Sequence, residues 1–349
     1  MTRIERRRGE LSDHRVTSDE QAAAEGEVIA RIDLAALTSN NVTYAVHGGP
    51  PFHYWNFFPA ADEAWCVVPV WGYGTVVESR NADVPAGRCF YGYWPSASHV
   101  KLVPGAVKGG GFSDAAAHRQ GLAPVYNAYR PADAVDPALA PLVALFQPLF
   151  GTAFVLDQLL GDLPRGTTVV LTSASAKTAL GTAWNLKQRG TLTVVGLTSD
   201  ANRAFVERTG LLDRVLGYDG IDALDPAAPA VLVDFAGNGA VTAALHGHLT
   251  GLLASHIVGD THWSAPPAST LPGPAPALFF APAVWEARAK AIGPAQFEAE
   301  QAAALDAFLA DARRWLVLEE VRGPDGHAAA FDALLRGRAS ADRGTIWRP

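Results

Sequence analysis

The sequence predicts an α/β protein in two parts: a β-rich, barrel-like amino-terminal part and a Rossmann-like, doubly wound parallel sheet. Three observations predict it. Short apolar or alternating runs separated by turn residues fill Val28 to Leu102. After Pro141 the rhythm changes to strand, helix, strand, helix, the pattern of a parallel sheet covered by helices. At 349 residues, 49% of them hydrophobic, the chain is long enough to bury two cores.

From the start of the chain, Met1 to Arg8 is basic and Gly9 to Glu27 is polar and acidic, where an export signal would need an apolar run. Strands are expected at Val28 to Asp33, Ala64 to Val70, Gly72 to Glu78, Arg88 to Tyr93 and His99 to Leu102. Turns are expected at Gly48 to Pro51, Asp83 to Gly87 and Pro104 to Gly111. Pro141 to Leu160 is the longest apolar stretch, but Gln147, Pro148, Gly151 and Asp157 interrupt it. It reads as a buried linker helix, not a membrane span.

The parallel sheet follows. Thr168 to Thr172 is a β-branched strand, Thr178 to Gln188 a helix and Leu192 to Leu197 the next strand, together one βαβ unit. The alternation continues with a helix at Asn202 to Thr209, strands at Arg214 to Gly217 and Ala230 to Asp234, a helix at Ala240 to His248 and a strand at Gly251 to Val258. A sixth strand is expected at Ala277 to Phe280, after a Pro-, Ala- and Ser-rich loop from Ser264 to Pro276. The tail is read as a helix from Trp285 to Ala312, a strand from Trp315 to Glu319 and a helix from Ala328 to Leu335. The domain expectation is therefore residues 1–140, completed by 285–349, around a nucleotide-binding domain at 141–284.

Composition excludes several functions. A net charge of -7 disfavours nucleic acid, whose phosphate backbone needs a concentrated basic surface. Neither Cys66 nor Cys89 has a second Cys or a His at structural-zinc spacing, so two reduced thiols in a cytoplasmic protein are expected. No Gly-x-Ser-x-Gly elbow or His-Glu-x-x-His helix is present, which leaves hydrolase and metalloprotease readings without local support.

The chemistry points to the first βα turn, Ser173 to Gly181, where a dinucleotide-binding fold usually presents G-x-G-x-x-G. The early glycines are missing. The helix start still offers N–H groups and a positive dipole end, and Ser173, Ser175, Lys177 and Thr178 add hydroxyls and a charge, so an anion is well served. The competing reading is a degenerate Rossmann domain that binds nothing. At the end of the second strand, Thr198 and Ser199 precede Asn202 and Arg203. That set suits a 2′-phosphate and favours NADP over NAD, with Asp200 as a helix cap. The fourth strand ends in Asp234-Phe-Ala-Gly-Asn-Gly239 and the fifth in Gly259-Asp-Thr-His-Trp263. Gly237, Asn238 and Gly259 are thus placed at the cofactor, and His262 and Trp263 in the pocket wall.

The segments Asn40 to Ala45, Pro69 to Gly74, Pro124 to Arg130, Ser173 to Ala179, Val195 to Ser199, Asp234 to Gly239 and Thr261 to Trp263 resemble an uncharacterised bacterial domain-of-unknown-function family related to zinc-free medium-chain dehydrogenase/reductases. The resemblance covers nearly the whole chain. It implies a GroES-like barrel followed by a Rossmann domain, a small organic substrate between them and, more weakly, a homodimer. Zinc-dependent members carry a Cys and a Gly-His-Glu segment in the barrel, whereas Trp71 to Gly74 stands here, which implies no metal. Without zinc, a proton donor is needed. The resemblance puts Tyr44 at a barrel position where such reductases carry a tyrosine. Tyr126, with Tyr129 and Arg130 as substrate contacts, and His262 are the other candidates; Arg130 suits a substrate carboxylate, a thioester-linked phosphate or the cofactor itself. Two hypotheses follow: an NADPH-dependent reductase of an activated alkene or carbonyl, or a non-redox lyase, isomerase or nucleotide-binding protein on the same fold.

Overall fold

A computed structural model describes residues 1–259, 271–279 and 281–349. His262 and Trp263 lie outside the described residues. The chain divides into two compact units, Met1–Leu145 with Val317–Pro349, and Phe146–Leu316.

In the second unit, six parallel strands run in the order Arg214–Gly217, Thr193–Thr198, Thr168–Leu171, Ala230–Asp234, Leu252–Ile257, Ala277–Leu278. The strand order reverses between the first and fourth of these in sequence, which leaves a crevice at their carboxyl ends, as in the Rossmann fold. The central strands are continuous apolar runs because helices cover both faces: Val169, Val170, Leu171, Val231, Leu232 and Val233 are all fully buried. Helix Ala140–Leu160 is apolar enough in composition to cross a membrane, yet 67% of its most apolar window is buried in the protein. Its Phe146, Phe150 and Phe154 pack on Phe308, Trp184 and Phe297.

Those contacts place the helical tail in the second unit as far as Leu316, whereas the sequence reading assigned everything after residue 285 to the first. The tail is also two helices, Ala281–Ile292 and Pro294–Ala312, divided at Gly293 with φ 91°. An apolar helix pattern shows that a helix is buried but not which core receives it.

The first unit is built on an eight-stranded, largely antiparallel sheet. Strands Val28–Leu37, Pro69–Ser79 and Cys89–Pro95 form its centre. Side chains alternate across it. Val70, Val76, Phe90 and Trp94 enter a core with Ile32, Leu37 and Trp347, and Trp71, Tyr73, Tyr91 and Tyr93 occupy the opposite face. A hairpin of Thr2–Arg7 and Glu10–Ser18, absent from the sequence reading, pairs with Trp65–Cys66. It is fastened by Arg6, which is 0% exposed, stacks over Phe331 and forms a 2.6 Å ion pair with Asp332 of helix Gly323–Leu335.

Candidate functional site

The first βα turn explains how this sequence manages without its early glycines. Ser173 adopts φ 46°, the left-handed conformation that glycine would take without strain. Ala174 packs against the second strand at Gly196, where an added Cβ would lie 2.7 Å from the Ala174 Cβ and 2.4 Å from Leu212 Cδ2. The glycine that permits close approach has moved from the turn to the neighbouring strand. Helix Lys177–Arg189 then begins at Ala176, which supplies no side-chain cap. Its first turn thus keeps the anion-attracting character of a helix start, with Lys177 and Thr178 beside it.

Two side chains from neighbouring strand ends brace this turn. The Ser173 N–H donates to the Tyr218 hydroxyl at 3.1 Å, and Asn202 Nδ2 donates to Ser175 Oγ at 3.1 Å. Tyr218 follows the third strand directly; its pKa is raised by burial and by nearby Asp234. The sequence reading missed Tyr218, although an aromatic residue abutting a strand's carboxyl end was the available signal. Ser199 precedes helix Asp200–Thr209 and is exposed, without capping it through its side chain. Arg203 lies where Gly217 leaves room: an added Cβ there would be 2.8 Å from Arg203 Nη2 and 2.4 Å from Asp219 Oδ1. Its ion pair with Asp200, from Arg203 Nη2 to Asp200 Oδ1, is long at 4.0 Å. Arg203 Nε is buried without a hydrogen-bond acceptor among the described residues.

At the fourth strand, Asp234 is 3% exposed and organises the next turn. Its Oδ1 accepts from Thr172 Oγ1 at 2.5 Å and from the Ala236 N–H at 2.9 Å, and its Oδ2 accepts from Thr242 Oγ1 at 3.0 Å. The Asn238 side chain, expected at the cofactor, caps helix Gly239–His248 by accepting from the Ala240 and Val241 N–H groups. Gly237 has φ 68°, and Gly259 lies against the Phe235 backbone, 3.0 Å from its oxygen when measured from an added Cβ. Ser173, Ser175, Asn202 and Arg203 thus converge with Tyr218 at the strand ends, whereas Asn238 supports its own helix.

The first unit holds an aromatic cluster. Thr38 and Asn41 form a capping box that starts helix Ser39–Val46, and Asn41 Nδ2 fixes it to Pro69 O at 2.8 Å. Asn40 and Tyr44, four residues apart, then share a helix face. The Tyr44 oxygen accepts from Trp71 Nε1 at 3.0 Å and Asn40 Nδ2 at 3.4 Å. Both lone-pair positions are filled by donors, and the Tyr44 proton has no acceptor among the described residues. Burial raises the Tyr44 pKa, so the phenol is protonated at neutral pH; the two donors oppose that shift by favouring the phenolate.

Tyr126 is half-buried and joins this cluster through Tyr54, with 3.4 Å between hydroxyls, and through Tyr93, with ring centroids 4.8 Å apart. Tyr129, expected at the substrate, is 1% exposed; it donates to Tyr93 O at 2.8 Å and stacks on Phe112 in the core. Arg130, next to it on the strand, is exposed on the other face. Among the described residues no group of three or more His, Cys, Asp or Glu side chains could hold a metal ion. Burial pushes the Cys66 thiol up to about 11.

Comparisons with known proteins agree with this architecture. A family model described as protein of unknown function (DUF2855) matches residues 35–340. No curated protein sequence matches the chain. Among solved structures, CurA from Vibrio vulnificus in complex with NADPH is similar, at TM-score 0.69 and 14% identity over 100% of this chain and 99% of that chain. The mycobacterial protein Rv1454c complexed with NADPH aligns at TM-score 0.62 and 15% identity, over 100% of both chains. CurK enoyl reductase aligns at TM-score 0.63 and 12% identity over 99% of this chain and 98% of that chain. At such identities the likeness establishes the fold.

Proposed function

We propose that this chain, which belongs to the DUF2855 family, is a zinc-independent, NADPH-dependent oxidoreductase that reduces an activated alkene or carbonyl of a small organic molecule. The observation that carries this reading is the first βα turn. Its Ser173 adopts a glycine conformation, Gly196 receives Ala174, and the helix start remains without a side-chain cap beside Lys177. These features fit a pyrophosphate, which needs close backbone approach and a positive helix end. In support, the fold is shared along its length with CurA and Rv1454c, each solved with NADPH.

Ser175, Lys177 and Thr178 hold the pyrophosphate in this account, and Ser199, Asn202 and Arg203 the 2′-phosphate. NADPH, when bound, supplies a hydride. Reduction of an alkene conjugated to a carbonyl also consumes one proton. The Tyr44 hydroxyl would give that proton to the substrate. The Trp71 and Asn40 N–H groups stabilise the phenolate left behind, which regains its proton from water. Tyr44→Phe should lower kcat by about 100-fold or more while leaving NADPH affinity unchanged. Undiminished turnover of enones by that variant would remove Tyr44 from the role.

One observation favours the non-redox alternative, a lyase, isomerase or nucleotide-binding protein. The Ser173 N–H already donates to the Tyr218 hydroxyl, and the Asn202 side-chain amide to Ser175 Oγ, which leaves fewer N–H donors for a phosphate. Absence of NADPH oxidation alongside tight nucleotide binding would select it.

A further inference from the structure

The face of the first unit's central sheet that carries Trp71, Tyr73, Tyr91 and Tyr93 has a polar end at Arg130, which the sequence places at the substrate. Tyr91 and Arg130 are directly opposed partners on antiparallel strands, as are Tyr73 and Tyr91, so the three side chains form one row on one face. Tyr91 is 6% exposed, and its hydroxyl has no hydrogen-bond partner among the described residues. Leaving a buried hydroxyl unpaired is costly, so a hydroxyl in this position calls for an acceptor. Arg130 is exposed, and among the described residues its guanidinium has no carboxylate partner. Its charge acts on Tyr91, opposing the effect of burial on the phenol.

Trp71 connects this end of the face to Tyr44. Its ring stacks on Tyr91 with centroids 5.7 Å apart and planes 16° from parallel, and its indole N–H donates to the Tyr44 hydroxyl. The buried Tyr91 hydroxyl and the exposed Arg130 thus adjoin the planar surface of the Trp71 ring. A cation would meet the Arg130 charge, which is unfavourable, whereas an anion meets both that charge and the unpaired Tyr91 O–H.

We propose that Tyr91 and Arg130 form a carboxylate-reading subsite, and that the substrate is a flat conjugated carboxylate whose body lies along Trp71 towards Tyr44. This rests on the reductase reading only in calling the ligand a substrate; the recognition itself needs no cofactor. Arg130 supplies charge-assisted N–H donors to the carboxylate, and Tyr91 donates its otherwise unpaired O–H.

The test is calorimetric titration of the full-length protein with trans-cinnamate and, separately, its neutral methyl ester. Cinnamate should bind about tenfold or more tightly than the ester, in keeping with charge-assisted pairing. Arg130→Gln and Tyr91→Phe should each reduce that preference by severalfold and leave ester binding unchanged. Arg130 is exposed and the Tyr91 hydroxyl is unpaired, so both variants should keep the parent melting temperature. Equal affinity for the two probes, a preference that survives both substitutions, or no binding of either at millimolar concentration would overturn the proposal. NADPH titration of the same samples separates the two ideas. NADPH binding without carboxylate preference removes only the substrate class, and carboxylate preference without NADPH binding removes only the reductase.

Discussion

His327 should make the first unit sensitive to mild acid. Its ring is 0% exposed, stacks on Phe331 and meets Trp347 edge-on. Ser96 Oγ lies 2.8 Å from His327 Nε2 and 2.6 Å from Val68 O. The serine's single proton goes to the Val68 carbonyl, so Nε2 carries the ring proton and donates to the serine. That leaves Nδ1 as a buried lone pair without a partner. Protonating Nδ1 would create a cation with no acceptor, near the Arg6 guanidinium and His14. Burial first, then those two charges, lower the pKa from 6.5 to about 3. The unfolded chain therefore binds a proton that the folded one refuses between these values, and stability falls as pH falls through that window. From linkage, about 2 kcal/mol is lost on going from about pH 7 to about pH 5, approaching ~1.4 kcal/mol per unit below that. Urea unfolding of the parent and of His327→Phe at both pH values isolates the effect, because the variant keeps the other titrating groups. The parent should lose about 2 kcal/mol more than the variant. Parallel losses in the two proteins would refute the assignment of a buried, neutral imidazole.

Two further substitutions test the packing. Asp332→Ala strands the Arg6 guanidinium, 1% exposed at its side chain, and should destabilise the protein by about 3 kcal/mol, read as a lower urea midpoint. Gly196→Val forces its side chain into Ala174 and Leu212. It should cost about 1–3 kcal/mol and also weaken NADPH binding, because the displaced segment is the βα turn. Normal NADPH affinity in that variant would show that the turn does not hold the cofactor.

The parallel sheet was legible because its central strands are buried on both faces and read as short runs rich in β-branched and apolar residues, such as Thr168 to Leu171. The amino-terminal hairpin was not. Glu10–Ser18 is polar and half-exposed, and Thr2–Arg7 buries Glu5 and Arg6, charged residues that sequence patterning places in solvent. Helix Ser39–Val46 is only eight residues long with three β-branched positions, Val42, Thr43 and Val46, and its start is set by the Thr38 and Asn41 cap rather than by apolar periodicity. In the site, residue types that bind anions drew attention to Ser175, Asn202 and Arg203. Which of them face one another depends on strand order, as the Asn202 to Ser175 bond illustrates. Asn238 shows the converse: a Gly-Asn-Gly turn looks the same in sequence whether its amide meets a ligand or caps the following helix.

The most direct test of the central claim is calorimetric titration of the purified protein with NADPH and, separately, NADH. The account predicts that NADPH binds more tightly than NADH by about tenfold or more. Lys177→Ala should weaken both cofactors, whereas Arg203→Ala should weaken NADPH alone. If neither cofactor bound at millimolar concentration, that result would contradict it.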